Sequence, residues 1–210
     1  MFDELVKFFV VLLVVVEPLS LLPVLAGLTQ GASDSYSRHM SFKAVGISAA
    51  VCLVFAIGGT ALLELLGISV DAFKVGGGIL LFLLAIEMVF ARPSGVRSTT
   101  PVEDEESHHR GDISVFPLAF PLISGPGALA TILLAFAGVP YGSAQFFAQL
   151  GVILLVLGIT LALMLMTGPV MRVVGVTGGA VFGRLLGVLL AALAAQFVMD
   201  GIRGAMAVIP

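Results

Sequence analysis

Six long apolar segments dominate the sequence and limit the folds that it can adopt. Each is close to the length of about 20 residues that an α-helix needs to cross the hydrocarbon core of a bilayer. They run approximately over residues 5–29, 44–66, 72–91, 113–137, 145–168 and 184–203. With 59% hydrophobic and 11% charged residues, the chain has too few charges to be a water-soluble domain of this size. The sequence therefore predicts an all-α polytopic membrane protein with six transmembrane helices.

The basic residues predict an orientation and exclude one class of partner. A net charge of −3 without any basic cluster gives no reason to expect a nucleic-acid partner. Connections after the odd-numbered spans hold most of the basic residues, namely Arg38, Lys43, Arg92, Arg97, Arg110, Arg172 and Arg184. The opposite side holds Lys7, Lys74 and Arg203. Because basic residues concentrate on the cytoplasmic side, we expect both termini to lie outside.

One hydrophilic loop divides the chain into two halves. Residues 92–112 read RPSGVRSTTPVEDEESHHRGD, an acidic run followed by two histidines. We interpret this loop as a solvated linker between 1–91 and 113–210. A regulatory site for divalent ions is the alternative, because acidic and His-rich tracts bind metals. Cys52, the one cysteine in the chain, is interpreted as a packed small hydrophobe, so no metal site or cofactor is predicted in the spans.

The two halves are interpreted as repeats of each other. PLSLLP at 18–23 matches PLISGP at 121–126, an offset of 121 − 18 = 103. In the third spans the offset is 184 − 74 = 110, where a basic residue precedes a glycine in both halves. Because three spans are an odd number, the second half enters the membrane from the opposite side. The sequence therefore predicts two inverted-topology three-helix repeats, 1–91 and 113–210, an arrangement found in many secondary transporters.

Each proline pair is predicted to break the first helix of its half. Proline removes a backbone donor and clashes with the preceding turn, so we expect Pro18 and Pro121 to end or kink the incoming helices. In the second half, Ser124 or Gly125 is expected to cap a new helix that has Pro126 in its first turn. A helix that starts inside the membrane directs unpaired N–H groups and a partial positive charge at the cavity. Two such starts would suit a small carboxylate.

In the first half, Ser20 and Pro23 are expected to form the corresponding helix start. The predicted substrate site comprises the residues beside the two breaks: Glu17, Pro18, Ser20, Pro23, Pro121, Ser124, Gly125, Pro126 and Gly127. Broken backbone is tolerated at this depth only where protein or water surrounds it. A plain proline kink is the alternative interpretation of each motif.

Glu17 is an ionisable group where the bilayer is expected to be deepest, a position that costs several kcal/mol and usually faces a cavity or a partner. We interpret it as a coupling group that takes up H⁺ or helps to bind Na⁺. The alternatives are a permanent ion pair with Lys74 or Arg184, or a place nearer the interface. The third span of each half contains two residues that are candidates for ion coupling or for supporting the substrate site. They are Lys74 and Glu87 in the first half, and Arg184 and Gln196 in the second.

Small residues recur every four positions along the sixth span, at Gly183, Gly187, Ala191 and Ala195. Such a stripe allows another helix backbone to approach closely. We expect it to pack within the monomer, with homodimerisation as the alternative.

Four stretches of this sequence, in order, resemble the MarC family of bacterial integral membrane proteins: EPLSLLPVLAGLT, FKVGGGILLFLLAIEMVF, FPLAFPLISGPGALAT and GRLLGVLLAALAAQFVMDGI. The resemblance covers almost the whole chain apart from 92–112, and PLISGPGA is its most specific element. It implies six spans, the bacterial plasma (inner) membrane and, for some members, transport of glycine, alanine or similar amino acids. The family usually has Asp or Asn before the first proline, so Glu17 is a departure that bears on ion or substrate preference.

These observations predict a secondary transporter of small neutral amino acids, coupled to H⁺ or Na⁺ and surrounded by membrane lipids. The alternatives are an exporter or flippase for another small metabolite or a lipid-linked anion, and a non-transporting membrane protein. An enzyme is not expected, because His39, His108 and His109 lie in or near loops. A homo-oligomer is compatible with the sequence.

Overall fold

A computed structural model describes residues 2–90 and 112–207, which form helices joined by short connections. The helices are α1 (Phe2–Val16), α2 (Pro18–Leu28), α3 (Asp34–Leu65), α4 (Val70–Phe90), α5 (Ser114–Ile123), α6 (Pro126–Phe136), α7 (Ala144–Leu165) and α8 (Thr167–Ala207). The predicted linker at 92–112 lies outside the described residues except for its last residue.

Five helical stretches are long and apolar enough to cross a membrane. They are α1 with α2, then α3, α4, α7 and the part of α8 from Val181 to Ala207. The bent pair α5–α6 is a sixth if its two helices count as one span. The prediction of an all-helical, multi-pass membrane protein is therefore confirmed.

Two helices are longer than the apolar segments that predicted them. Helix α3 starts at Asp34 rather than near residue 44, because the hydroxyl of Ser33 accepts a hydrogen bond from the backbone N–H of Tyr36 (3.2 Å) and caps it. Helix α8 starts at Thr167 and is interrupted at Gly175, where φ is 63° and ψ is 173°. Hydropathy marks the part of a helix that meets lipid and gives no information on where its polar ends stop.

Helices α4 and α8 make the most extensive contact among the described elements. A Cβ atom added at Gly78 would lie 2.9 Å from the carbonyl oxygen of Ala194, and one added at Gly187 would lie 3.1 Å from that of Ala85. Residue numbers rise along α4 as they fall along α8, so the two helices are antiparallel. Packing within the monomer, predicted for the small-residue stripe, is confirmed at Gly187.

The two halves of the chain interlock. Helix α3 packs on α5, α6 and α7, whereas α7 packs on α1, α2 and α3. Helix α4 packs on α6 and α8, and α8 packs on α2 and α4. Each of these larger contacts has a counterpart when α1 to α4 are exchanged for α5 to α8, whereas the smaller contact between α1 and α8 has none of similar extent. Each half therefore supplies most of the packing surface for the other.

Candidate functional site

The first break is a single residue wide. Helix α1 ends at Val16 and α2 begins at Pro18. Glu17 between them has a left-handed backbone, with φ 48° and ψ 62°, which is uncommon for a residue other than glycine. The prediction that Pro18 interrupts the helix is confirmed. The predicted restart at Ser20 and Pro23 is wrong: Ser20 lies in the first turn of α2 and Pro23 in its interior.

The reason for that correction lies in Pro18 itself. Proline suits the first position of a helix, because the N–H that it lacks would have no partner there. Pro18 therefore both ends α1 and starts α2. Pro126 holds the same first position in α6, which like α2 has 11 residues. The helix starts thus pair Pro18 with Pro126, at an offset of 126 − 18 = 108, rather than with Pro121.

The second break follows an irregular helix. Within α5, Phe116 and Phe120 have extended backbones, and both are followed by proline in a cis peptide. The backbone is kinked at Phe120–Pro121, as predicted for Pro121, and α5 ends two residues later, at Ile123. Helix α6 then leaves at an angle of 54° to α5.

Gly125 caps α6, and Pro126 is its first residue, as predicted. Ser124 does not cap it. Its backbone N–H and its hydroxyl both donate to the carbonyl of Ala119, at 2.8 Å and 2.7 Å. The hydroxyl of Ser48 on α3 lies 3.5 Å from this carbonyl, whereas its shorter hydrogen bond, at 2.9 Å, goes to the carbonyl of Ala44. Because Ser124 is fully buried, its polar groups satisfy the end of α5 instead of the start of α6.

The two breaks adjoin each other. A Cβ atom added at Gly127 would lie 3.1 Å from Cγ1 of Val15 on α1 and 3.0 Å from Cδ2 of Leu84 on α4. These residues and the residues around the second break enclose a cavity of about 10 Å³, which is room for one water molecule. The structure therefore has the second break closed against α1 and α4.

The Glu17 side chain packs against a glycine of α8. Glu17 is 8% exposed, and its Oε1 atom occupies the place where a Cβ atom at Gly183 would be. The hydroxyl of Ser20 lies 3.9 Å from the same point. Glu17 and Ser20 are thus brought together against Gly183, the first residue of the small-residue stripe.

Of the four candidate supporting residues, Lys74 lies far from Glu17. Lys74 forms an ion pair with Asp71 (2.9 Å) near the start of α4. Gly187 of α8 contacts the other end of α4, at Ala85 and Met88, and Gly183 lies one further turn along α8 in the same direction. At 1.5 Å per residue the separation along α4 is roughly 24 Å. Arg184 is exposed.

Glu87 and Gln196 are also apart from each other. Glu87 is half-buried on α4 beside Met88, which faces Gly187. Gln196 lies roughly 13 Å farther along α8 and donates from Nε2 to Asp200, at 2.7 Å.

A group of hydrogen bonds outside the spans fixes the start of α5. Asp112 accepts hydrogen bonds from Lys43 on α3 and from the N–H and hydroxyl of Ser114, the latter two at 3.0 Å and 2.6 Å. These bonds, that from Lys43 foremost, lower the pKa of Asp112 to about 2. The pair therefore joins α3 to the helix that leads into the second break.

Several residues of the site were not predicted. Ala119 acts through its backbone carbonyl, and Val15 and Leu84 through apolar contacts, so none of them carries a recognisable pattern. Ser48, a polar residue in an apolar span, did offer a signal. The described residues contain no cluster of three or more metal-ligating side chains, and His108 and His109 lie outside them.

Comparisons with known proteins agree with this architecture. The model of a family described as MarC family integral membrane protein matches residues 2–206. A UPF0056 membrane protein of Methanocaldococcus jannaschii is 34% identical over 91% of this chain and 92% of its own length. The UPF0056 inner membrane protein YhgN of Escherichia coli K12 is 31% identical over 96% and 97%. UPF0056 membrane protein YvbG of Bacillus subtilis is 31% identical over 97% and 96%.

No solved structure matches the chain. The family match covers nearly its whole length, including α1 to α8 and both breaks. The chain therefore belongs to the MarC family of integral membrane proteins.

Proposed function

We propose that this protein is a secondary transporter of small neutral amino acids such as glycine and alanine, driven by H⁺ or Na⁺. One observation carries the proposal: two helix breaks adjoin inside the bundle, next to a buried carboxylate. Val15, two residues before Glu17, packs against Gly127, two residues after the cap of α6. Broken helices that meet at mid-membrane are the usual setting of substrate and ion sites in such transporters.

The inverted repeat is part of this proposal, and three features support it. The larger helix contacts are reciprocal between the halves. Pro18 and Pro126 start helices of equal length. Ser33 and Ser143 each cap the following span by accepting from the N–H three residues on, at 3.2 Å and 3.1 Å. Their offset, 143 − 33 = 110, is close to the 108 of the prolines.

In this proposal the start of α6 binds the substrate and Glu17 binds the coupling ion. The first-turn N–H groups of α6 have no carbonyl partner within the helix and would bind the substrate carboxylate. Glu17 would take up the coupling ion. Since the cavity at the second break has room for only one water, substrate entry requires α6 to move away from α1 and α4.

The test is uptake of labelled glycine, alanine and serine into liposomes that contain the purified protein, with and without pH and Na⁺ gradients. We expect uptake above that of empty liposomes, enhanced by one of the gradients. Absence of both uptake and counterflow, while a known amino acid transporter works in parallel, would contradict the proposal.

The variant Glu17→Gln tests the coupling role. We expect it to retain counterflow, which needs no gradient, and to lose gradient-driven accumulation. Unchanged accumulation would remove Glu17 from this role.

The remaining assignments follow from the same proposal. A transporter of this kind needs no cofactor beyond the coupling ion and performs no covalent step. We place the protein in the plasma membrane, because its Escherichia coli relative is named an inner membrane protein. Both termini are placed outside, as the distribution of basic residues predicts.

A further inference from the structure

A second and much larger cavity lies at the end of the bundle where α1 begins. Its volume is about 420 Å³, within the range of roughly 300–1,000 Å³ that small-molecule pockets occupy. Its walls come from α1, the end of α6, the start of α7 and one residue of α8, Phe197. The residues around the two helix breaks do not line it, apart from Thr131 one turn above Gly127.

The wall of this cavity includes a buried amide, that of Gln149. Gln149 is 3% exposed, and its Nε2 atom donates to the carbonyl of Ala135, at 3.0 Å. That bond fixes the amide and leaves Oε1 buried, without a hydrogen-bond partner among the described residues. A buried amide oxygen without a donor is unfavourable, so this atom calls for a donor supplied from inside the cavity.

Opposite charges stand at the cavity mouth. Glu4 and Lys7 both line it and lie three residues apart on one face of α1. The Oε2 atom of Glu4 accepts a weak hydrogen bond from Nε2 of Gln145, at 3.3 Å. The Nζ atom of Lys7 lies 5.8 Å from the centre of the Phe197 ring, a cation–π distance. These contacts hold both charges over the cavity.

The remainder of the wall is mostly apolar and includes Phe8, Val11, Leu134 and Val139. An amide oxygen at depth, a carboxylate and an ammonium at the mouth, and apolar walls together fit a small molecule that carries both charges. A molecule with a single charge would satisfy only part of this set.

We infer that this cavity binds a small zwitterionic solute and is a site separate from the helix breaks. The solute ammonium donates to Gln149 Oε1 and to Glu4, and the solute carboxylate accepts from Lys7. The hydroxyl of Thr131 donates to the carbonyl of Gly127 (2.8 Å), so the wall of this cavity connects directly to the second break. Onward movement to the break rests on the function proposed above, whereas binding in the cavity does not.

The chain contains no tryptophan, which allows a local test. Phe197→Trp places a single fluorophore on the cavity wall and retains an aromatic face for Lys7. The protein in phosphatidylglycerol nanodiscs, whose headgroups carry no ammonium, is titrated with glycine, methylamine and acetate. We expect glycine to change the emission saturably, and methylamine and acetate to bind at least about tenfold more weakly, because each satisfies only one charge.

Variants in the Phe197→Trp background identify the groups responsible. Gln149→Met and, independently, the exposed Lys7→Met should each weaken glycine binding by about tenfold, as expected for one charge-assisted hydrogen bond. Gln30→Met, in the exposed connection between α2 and α3, is the control and should leave the midpoint unchanged.

Three results would overturn the inference: no saturable response to glycine, equal affinity for methylamine or acetate, or unchanged affinity in both cavity variants. Glycine binding that depends on Gln149 and Lys7, in a protein that shows no uptake in liposomes, would instead support the cavity site and contradict the proposed transport function.

Discussion

Glu17 has a left-handed backbone conformation and is the one residue between α1 and α2. Its carboxyl group packs against Gly183 of α8. The residue therefore has both its backbone and its side chain determined by the tertiary structure. A left-handed non-glycine residue and a buried ionisable group are each costly, and such features concentrate at functional sites. The absence of a side chain at Gly183 is what makes room for this arrangement.

The first prediction concerns that glycine. Gly183→Ala would place a methyl group on the Glu17 carboxyl oxygen, so we expect uptake of labelled glycine to fall at least tenfold while the protein still inserts in the membrane. Gly179→Ala, one turn earlier on α8 with no atom within 4 Å of the added carbon, is the matched control. Equal uptake by the two variants would show that the contact with Glu17 has no functional role.

The second prediction concerns Asp112, whose pKa is lowered to about 2 from its ordinary 3.8. A lowered pKa in the folded state contributes stability that is complete above about pH 4 and is lost as the pH falls through about 2. Thermal unfolding in detergent should show Asp112→Asn melting below wild type at pH 7, with the difference narrowing between pH 4 and pH 2.

A double variant checks the cause of that effect. In a Lys43→Gln background the effect of Asp112→Asn at pH 7 should shrink, because the hydrogen bond that lowers the pKa of Asp112 most is gone. Additive effects of the two substitutions would contradict the assignment of the shift to Lys43.

At the scale of helices, α4 and α8 can approach each other closely only where a glycine of one helix faces the backbone of the other. Gly78 faces the backbone of Ala194 and Val198, whereas Gly76 has nothing within 4 Å of an added carbon. Backbone atoms cannot move aside as a side chain can. The space available for a side chain therefore differs between Gly76 and Gly78, although the two glycines are only two residues apart.

The third prediction uses this pair. Gly78→Ala should destabilise the protein by about 1–3 kcal/mol, the usual cost of overpacking, whereas Gly76→Ala should be neutral or slightly stabilising, because alanine favours helix. Thermal or denaturant unfolding in the same detergent measures both. Equal destabilisation by the two variants would contradict the close approach of Gly78 to the backbone of α8.

Helices were largely predictable, but their junctions were only partly so. Apolar length predicted the spans, and proline chemistry predicted a break at Pro18 and a start at Gly125–Pro126. The repeat of two P-x4-P patterns then suggested Pro121 as the partner of Pro18, whereas Pro126 is the proline that, like Pro18, starts a helix of 11 residues. The sequence could not resolve this, because Pro121 lies inside an irregular helix whose end depends on the two hydrogen bonds from Ser124 to the Ala119 carbonyl.

At the scale of the whole molecule, the described contacts run mainly between the halves rather than within them. A half of this kind has little core of its own. The two halves are expected to move as interleaved layers, so a displacement of α6 at the second break is transmitted to α1, α3 and α4, which it contacts.

The fourth prediction tests the proposed inverted topology. Gln30 and Tyr141 lie in the connections after the first and fourth spans, at equivalent places of the two halves, and both are exposed. In a Cys52→Ala background, Tyr141→Cys should react with a membrane-impermeant maleimide in intact cells. Gln30→Cys should react only after permeabilisation.

Labelling of both positions from the same side would contradict the inverted repeat. Labelling of Gln30→Cys alone in intact cells would retain the repeat and reverse the predicted orientation of the termini.

The contact between Glu17 and Gly183 can form only late in the synthesis of the chain. The two residues are 183 − 17 = 166 positions apart, so at the usual 5–20 residues per second roughly 10–30 s of translation separate them. During that interval the first span has already emerged, while the helix that accommodates its carboxylate does not yet exist. We therefore expect the Glu17 segment to be protected from proteolysis only after α8 has been synthesised.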